Sequence, residues 1–294
     1  QWMPGPFYEA PSWVADSLNA IRGRMGLEAI PEQEINYGYW APVVRKVNVG
    51  GQDKLRMYYS VIIDNYIKTG KANTAANFDG SWVERAFIGM CESTDPAGGV
   101  WEDKGFVTTS SSDRGLNYSR SSTNDWSGYF YYNAIDPSYI VTPDNKHFLI
   151  HGSWHSGFAL LEVNANTGKP LNTLGEPYAN SAGELEERYG VRIGTRAASS
   201  RWQASEAPEV VYKDGYYYLF LAYDGLDVPY NTRVVRSENI EGPYLDIRGR
   251  SFTDGQGDSY PIVTHPYKFN LHHGWVGISH CAVFKKEDAD EWFY

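Results

Sequence analysis

"SEAPEVVYKDGYYYLFLAY", residues 205–223, holds two apolar, aromatic runs joined by Asp214-Gly215. Aspartate and glycine both tolerate the positive φ of a tight turn, so the stretch predicts a β-hairpin. An acid, Glu206, stands at the head of its first strand. The plainer reading of such an acid is a turn cap or an ion pair, and Arg196 and Arg201 are close enough in sequence to supply the cation. The other reading is chemistry, and it depends on what else the fold brings to that strand end.

The hairpin belongs to a series. "YWAPVVRKVNVGGQDKLRMYYS" begins at Tyr39, "NAIDPSYIVTPDNKHFLIHGSW" at Asn133, and "GISHCAVFKKEDADEWFY" at Gly277. Each has a small or polar start, a short apolar strand, a polar turn and a longer aromatic strand. With Pro42, Pro137, Pro208 and Cys281 as markers, the spacings are 95, 71 and 73 residues. Helical periodicity is confined to residues 11–27, with Trp13, Val14, Leu18, Ile21 and Met25, and to a short segment at Gly183–Tyr189. Short β-rich runs at a long, regular period predict an all-β chain built as a propeller of four-stranded blades. In a propeller the first strand of every blade lies beside the central axis. Ala41, Asp136, Glu206 and His280 are therefore expected around one pocket.

Composition narrows the function. The chain has 294 residues, is 42% hydrophobic and 21% charged, and has a net charge of −10, which disfavours nucleic acid and anionic membranes as partners. No run of 18 apolar residues occurs, so no membrane-spanning helix is predicted. Cys91 and Cys281 make neither a disulfide framework nor a zinc site. No H-E-x-x-H, EF-hand, phosphate-binding glycine loop or G-x-S-x-G sequence is present, so zinc proteases, nucleotide enzymes and α/β-hydrolases have no support. The 23 Tyr and 10 Trp serve sheet packing first, and they also offer flat faces for stacking on sugars.

Asp136 and Glu206 form the expected carboxylate pair. Glycoside hydrolysis uses two carboxyl groups, one protonating the leaving oxygen while the other activates water or attacks the sugar. Burial beside a second carboxylate raises a pKa in the direction a general acid needs. His280 reads equally as a core histidine or as a fourth axial group holding a water or a cation.

The stretches "NAIDPSYI…HGSW", "SEAPEVVY…GYYYLFLAYD", "NTRVVRSENIEGPYLD" and "THPYKFN…GWVGISHCAVF" resemble glycoside hydrolase family 43, most of all its larger endo-α-1,5-L-arabinanases. The resemblance runs through essentially the whole chain. It implies a single five-bladed β-propeller domain with residues 1–38 as the trailing part of blade 1, 39–132 as blade 2, 133–204 as blade 3, 205–276 as blade 4 and 277–294 as the start of blade 5. It also implies inversion at the anomeric carbon, for which acid and base stand about 6.5–9.5 Å apart.

By motif match Glu206 would be the general acid and Asp136 the carboxylate that orients and tunes it. His280 would lie near an axial calcium ion coordinated largely through waters. The family's general base is an Asp in a His-Asp-Pro-like motif that has no match here, and the repeat places its expected position upstream of Gln1. Asn133, Trp154, Trp40 and His265 are the expected substrate contacts. Asn133 is expected at the pocket rim, each Trp fits blade packing as well as sugar stacking, and His265 fits a fixed turn as well as the cleft. The implied partner is arabinan, and the implied location is secreted, extracellular or periplasmic. Long loops such as 171–201 leave exo-acting α-L-arabinofuranosidase or β-xylosidase open beside endo action. A non-catalytic carbohydrate-binding propeller stays open as well.

Overall fold

Three four-stranded antiparallel sheets follow one another along the chain, each a simple meander. The computed structural model describes residues 11–24, 28–63, 86–111, 131–172, 182–197, 203–227, 229–257, 261–263 and 277–294. The first sheet contains β1 (Tyr37–Val49), β2 (Gln52–Ile63), β3 (Ala86–Asp95) and β4 (Val100–Thr109). The second contains β5 (Ser138–Val141), β6 (His147–His151), β7 (Phe158–Val163) and β8 (Val191–Gly194). The third contains β9 (Ser205–Lys213), β10 (Tyr216–Tyr223), β11 (Asn231–Ser237) and β12 (Pro261–Val263). A two-stranded piece, β13 (Phe284–Lys285) and β14 (Trp292–Phe293), follows. Two helices accompany them, α1 (Trp13–Arg24) and α2 (Ala182–Tyr189).

The hairpin at Asp214-Gly215 forms in the expected register. Lys213 pairs with Tyr216, and Asp214 (φ 50°) and Gly215 (φ 87°) between them both take left-handed backbone. This is the turn that Asp-Gly favours, because its twist matches that of the flanking strands.

The sheets are stacked face to face in chain order. Tyr58, Ile62, Ile88 and Met90 of the first meet Tyr139, Leu149 and Val163 of the second in one buried layer. Ile140, Phe148, Ile150 and Leu160 of the second meet Val210, Leu219, Leu221 and Val235 of the third in another. The far face of the first sheet, with Met57, Tyr59, Val61 and Phe87, is covered by Val14, Leu18 and Ile21 of α1. At one edge of this stack the first strands are neighbours, with β5 packed against both β1 and β9. Among the described residues, no helix is long and apolar enough to cross a membrane.

A shared backbone feature marks these strand heads. Ala41, Asp136, Ala207 and His280 have φ of 43°, 53°, 52° and 55°, and each directly precedes one of the marker residues Pro42, Pro137, Pro208 and Cys281. L-residues avoid this region unless the surroundings enforce it, and such strain gathers at functional sites. The equivalence also corrects the expected register. Ala207, not Glu206, matches Asp136, and Glu206 stands one residue earlier. A β-bulge lies at this point of β9: Phe220 pairs with Glu209 and Ala222 with Glu206, leaving Ala207 and Pro208 opposite a single residue. Pro208 has no N–H for the ladder, so a bulge is where a strand tolerates it.

Candidate active site

Glu206 sits half-buried at the start of β9 and accepts three hydrogen bonds. The indole Nε1–H of Trp154 donates to Oε2 at 3.0 Å, the Ser153 hydroxyl to the same oxygen at 3.4 Å, and the Tyr230 hydroxyl to Oε1 at 2.5 Å. All three donors are neutral. The cation that an ordinary ion pair would need is engaged elsewhere, since Arg196 Nη1 binds Asp224 Oδ1 and the Ala204 carbonyl, each at 2.8 Å. Arg201 lies outside the described residues. Among the described residues, Glu206 is held by neutral donors and not by a cation.

Asp136 is 6% exposed and is anchored to the same strand, its Oδ2 accepting the Ala207 backbone N–H at 3.1 Å. Burial pushes its pKa up to about 6, and the neighbouring Glu206 adds to the rise. The charge of His280, the Ala207 N–H and the Ser153 hydroxyl pull the other way. Ser153 thus lies between the two acids. The Tyr230 hydroxyl is held firmly protonated, first by its own burial and then by Glu206 beside it. Two carboxyl groups in one desolvated place do not both ionise readily, so the site retains a proton toward neutral pH.

Asp136 lies within electrostatic reach of both Glu206 and His280. Trp154 is there too, with its indole N–H on Glu206. Trp40 lies at the head of β1, with 41% of its surface exposed. Asn133 departs from expectation: it is 1% exposed, and its Oδ1 accepts the Ser110 hydroxyl at 2.9 Å, so it belongs to the interior between the first two sheets and not to the pocket rim. Buried carboxamides need such partners, which explains its depth. His265 lies outside the described residues.

His280 is exposed. Among the described residues, no group of three His, Cys, Asp or Glu side chains is placed to hold a metal ion. A calcium ion takes six to eight oxygen ligands, and one imidazole beside one buried carboxylate does not fit that need directly. Sequence reasoning missed Ser153 and Tyr230. Tyr230 directly precedes β11, whose Asn231 pairs with Tyr223, and Tyr223 pairs with Ser205. With the three strands in register, that end of β11 is level with Glu206 two strands away, and the Tyr230 side chain reaches it.

Residues 23–294 match the family model described as glycosyl hydrolases family 43. The chain belongs to that family. Among its relatives is the extracellular endo-alpha-(1->5)-L-arabinanase 1 of Bacillus subtilis, 32% identical over 228 residues, which make up 76% of this chain and 54% of the relative. The extracellular exo-alpha-(1->5)-L-arabinofuranosidase ArbA of Cellvibrio japonicus is 30% identical over 195 residues, 65% of this chain and 47% of the relative. The chain thus spans about half the length of these two relatives. Among solved structures, the family 43 endo-arabinanase from Bacillus licheniformis has a TM-score of 0.53 at 26% identity, over 87% of this chain and 66% of that one. The endo-1,5-alpha-L-arabinanase from Thermotoga petrophila is similar in fold, with a TM-score of 0.61 at 22% identity, over 95% of this chain and 56% of that one.

Proposed function

We propose that this family 43 chain carries the proton-donating side of an inverting glycosidase that cuts α-1,5-linked L-arabinan internally. The observation that carries the reading is the buried Asp136 beside Glu206, with Glu206 held by neutral donors. Glu206 is the general acid, and Asp136, the second carboxyl group of the desolvated pair, orients it and tunes its hold on the proton. Trp154 and Tyr230 fix the rotamer of Glu206, so its proton is delivered along one direction. No residue of this chain is assigned as the general base. The names of the relatives support arabinan as substrate and an extracellular location.

The three stacked sheets, with first strands side by side, support a five-bladed β-propeller in which 39–132, 133–204 and 205–276 are successive blades. Calcium near His280 is proposed only in a form held by water. Trp40 and His265 are proposed as sugar contacts at the cleft.

Incubation of the full gene product with linear arabinan, followed by chromatography of the products, tests this reading. A spread of oligosaccharides is expected, with Glu206→Ala losing nearly all turnover and keeping oligosaccharide binding. Arabinose as sole product would assign chain-end release instead. Oligosaccharide binding without any product would assign a carbohydrate-binding module.

A further inference from the structure

A second carboxylate on β9 is more deeply buried than Glu206 and takes no part in the chemistry above. Glu209 is 4% exposed. Its Oε1 pairs with the Arg45 guanidinium of β1 and accepts the Val283 backbone N–H at 3.1 Å. Its Oε2 accepts the Ser138 hydroxyl of β5 at 2.8 Å, and the same Ser138 oxygen accepts the Val210 N–H at 3.1 Å. One side chain thus ties together the first strands of all three sheets and the segment that leads into β13.

Its partners are spaced in step with the site. Ser138 is two residues beyond Asp136, Glu209 three beyond Glu206, and Val283 three beyond His280. The bulge at Ala207-Pro208 matters here. Residues three apart on a regular strand face opposite sides, but Glu206 and Glu209 pair with Ala222 and Phe220, two apart on β10, and so share a face.

Stability alone does not call for a carboxylate at this place. Apolar residues of similar size replace buried ion pairs without loss in many proteins. In this chain the positions equivalent to Glu209, each directly after its marker residue, are Val43, Ser138 and Ala282. Two of these three are hydrocarbon. Two of the polar contacts, Ser138 with Glu209 and Val210 with Ser138, join β5 to β9, the strand after Asp136 and the strand that carries Glu206. A hydrogen bond fixes distance and direction between the strands it joins more narrowly than apolar contact does.

We propose that Glu209 is a positioning residue, whose contacts to Arg45, Ser138 and Val283 fix the placement of Asp136 relative to Glu206. The proposal uses the functional reading above only for what that pair does.

Glu209→Gln tests it, because the amide keeps the shape and an acceptor while releasing Arg45, whose partly exposed side chain can reach water. Two readouts separate positioning from mere structure. One is the indole N–H resonance of Trp154, assigned with Trp154→Phe, which reports the bond to Glu206 without substrate. The other is the split between kcat and KM on linear arabinan. The expected result is an upfield shift of the Trp154 resonance, with that of Trp13 at α1 unmoved, and a fall in kcat on the order of 10-fold to 100-fold with KM nearly constant. Ser138→Ala should move both in the same direction by less, and it decides the matter if Glu209→Gln does not fold. A lowered melting temperature with the Trp154 resonance and kcat both at wild-type values would overturn the proposal. If the wild-type protein shows no turnover of arabinan, the functional reading fails, and the Trp154 resonance still decides the role of Glu209.

Discussion

Replacing Asp136 by Asn should make the protein more stable and less active at once. In the folded chain Asp136 holds its proton up to about pH 6, against 3.8 for an ordinary aspartate, with burial the main cause. Between those two values the folded state binds more protons than the unfolded state, so stability falls as pH rises through the window. The gap is about two pH units at about 1.36 kcal/mol each, which gives up to about 3 kcal/mol of destabilisation once the carboxyl is fully ionised. Asparagine cannot ionise, and its Oδ1 can still accept the Ala207 N–H.

Urea unfolding of both proteins across roughly pH 4 to pH 8 measures the difference. Near pH 4 the two should be nearly equally stable. Above about pH 6 the variant should lead by up to about 3 kcal/mol, while its turnover of arabinan falls by about 10²-fold or more. Such opposition between stability and activity is the signature of a desolvated functional acid. Parallel stability curves with no divergence between those pH values would refute the reasoning, because the burial of Asp136 would then exact no cost on its charge.

Other expectations follow from single contacts. Tyr230→Phe removes the hydroxyl on Glu206 Oε1 and should lower kcat by about 10-fold with KM little changed, as steady-state kinetics on linear arabinan would show. A kcat within about twofold of wild type would mean that Trp154 and Ser153 suffice. Gly157→Ala should be severe, at about 3 kcal/mol or more by urea unfolding. Its φ is 101°, and an added Cβ would lie 2.1 Å from the Gly194 carbonyl oxygen. Gly215→Ala in the hairpin turn meets nothing within 4 Å at φ 87°, so only the backbone penalty of about 1 kcal/mol should remain.

The hairpin and the recurring strand heads were legible because their signals are local. Asp214-Gly215 fixes a turn by its own backbone preference, and the strand heads at Pro42, Pro137, Pro208 and Cys281 recur with similar flanking runs. The positions of side chains across strands were not legible. Trp154 could be placed near the axis from "HGSW", yet whether its indole met a sugar or an acid depends on the backbone at Trp154 itself, which takes φ 56°. Asn133 looked like a rim residue from its distance to Asp136 along the chain. Ser110, which binds it, is 23 positions away, and nothing between them signals the contact. Tyr230 became a neighbour of Glu206 only through two strand pairings. Glu209 was hidden by the hydrophobic run that follows it, where a single acid reads as solvent-facing alternation.

The most consequential of these omissions is the bulge, because it sets what β9 can do. In a regular strand an acid at position 206 and one at 209 would face opposite sides, and no single sheet edge could use both. Leaving Ala207 and Pro208 opposite one residue of β10 restores a shared face. It also presents the Ala207 N–H to Asp136 instead of to the ladder. The left-handed turn at Ala207, the missing N–H of Pro208 and the Asp136 contact are therefore one device. Asp136, at the matching position of the second sheet, has the same backbone turn and the same following proline, but it carries its acid on the turn residue itself. The one-residue offset between the two acids follows from that difference. It lets two chemically similar side chains arrive from adjacent strands at different depths, one buried and protonated toward neutral pH, the other held by neutral donors where a substrate can reach it.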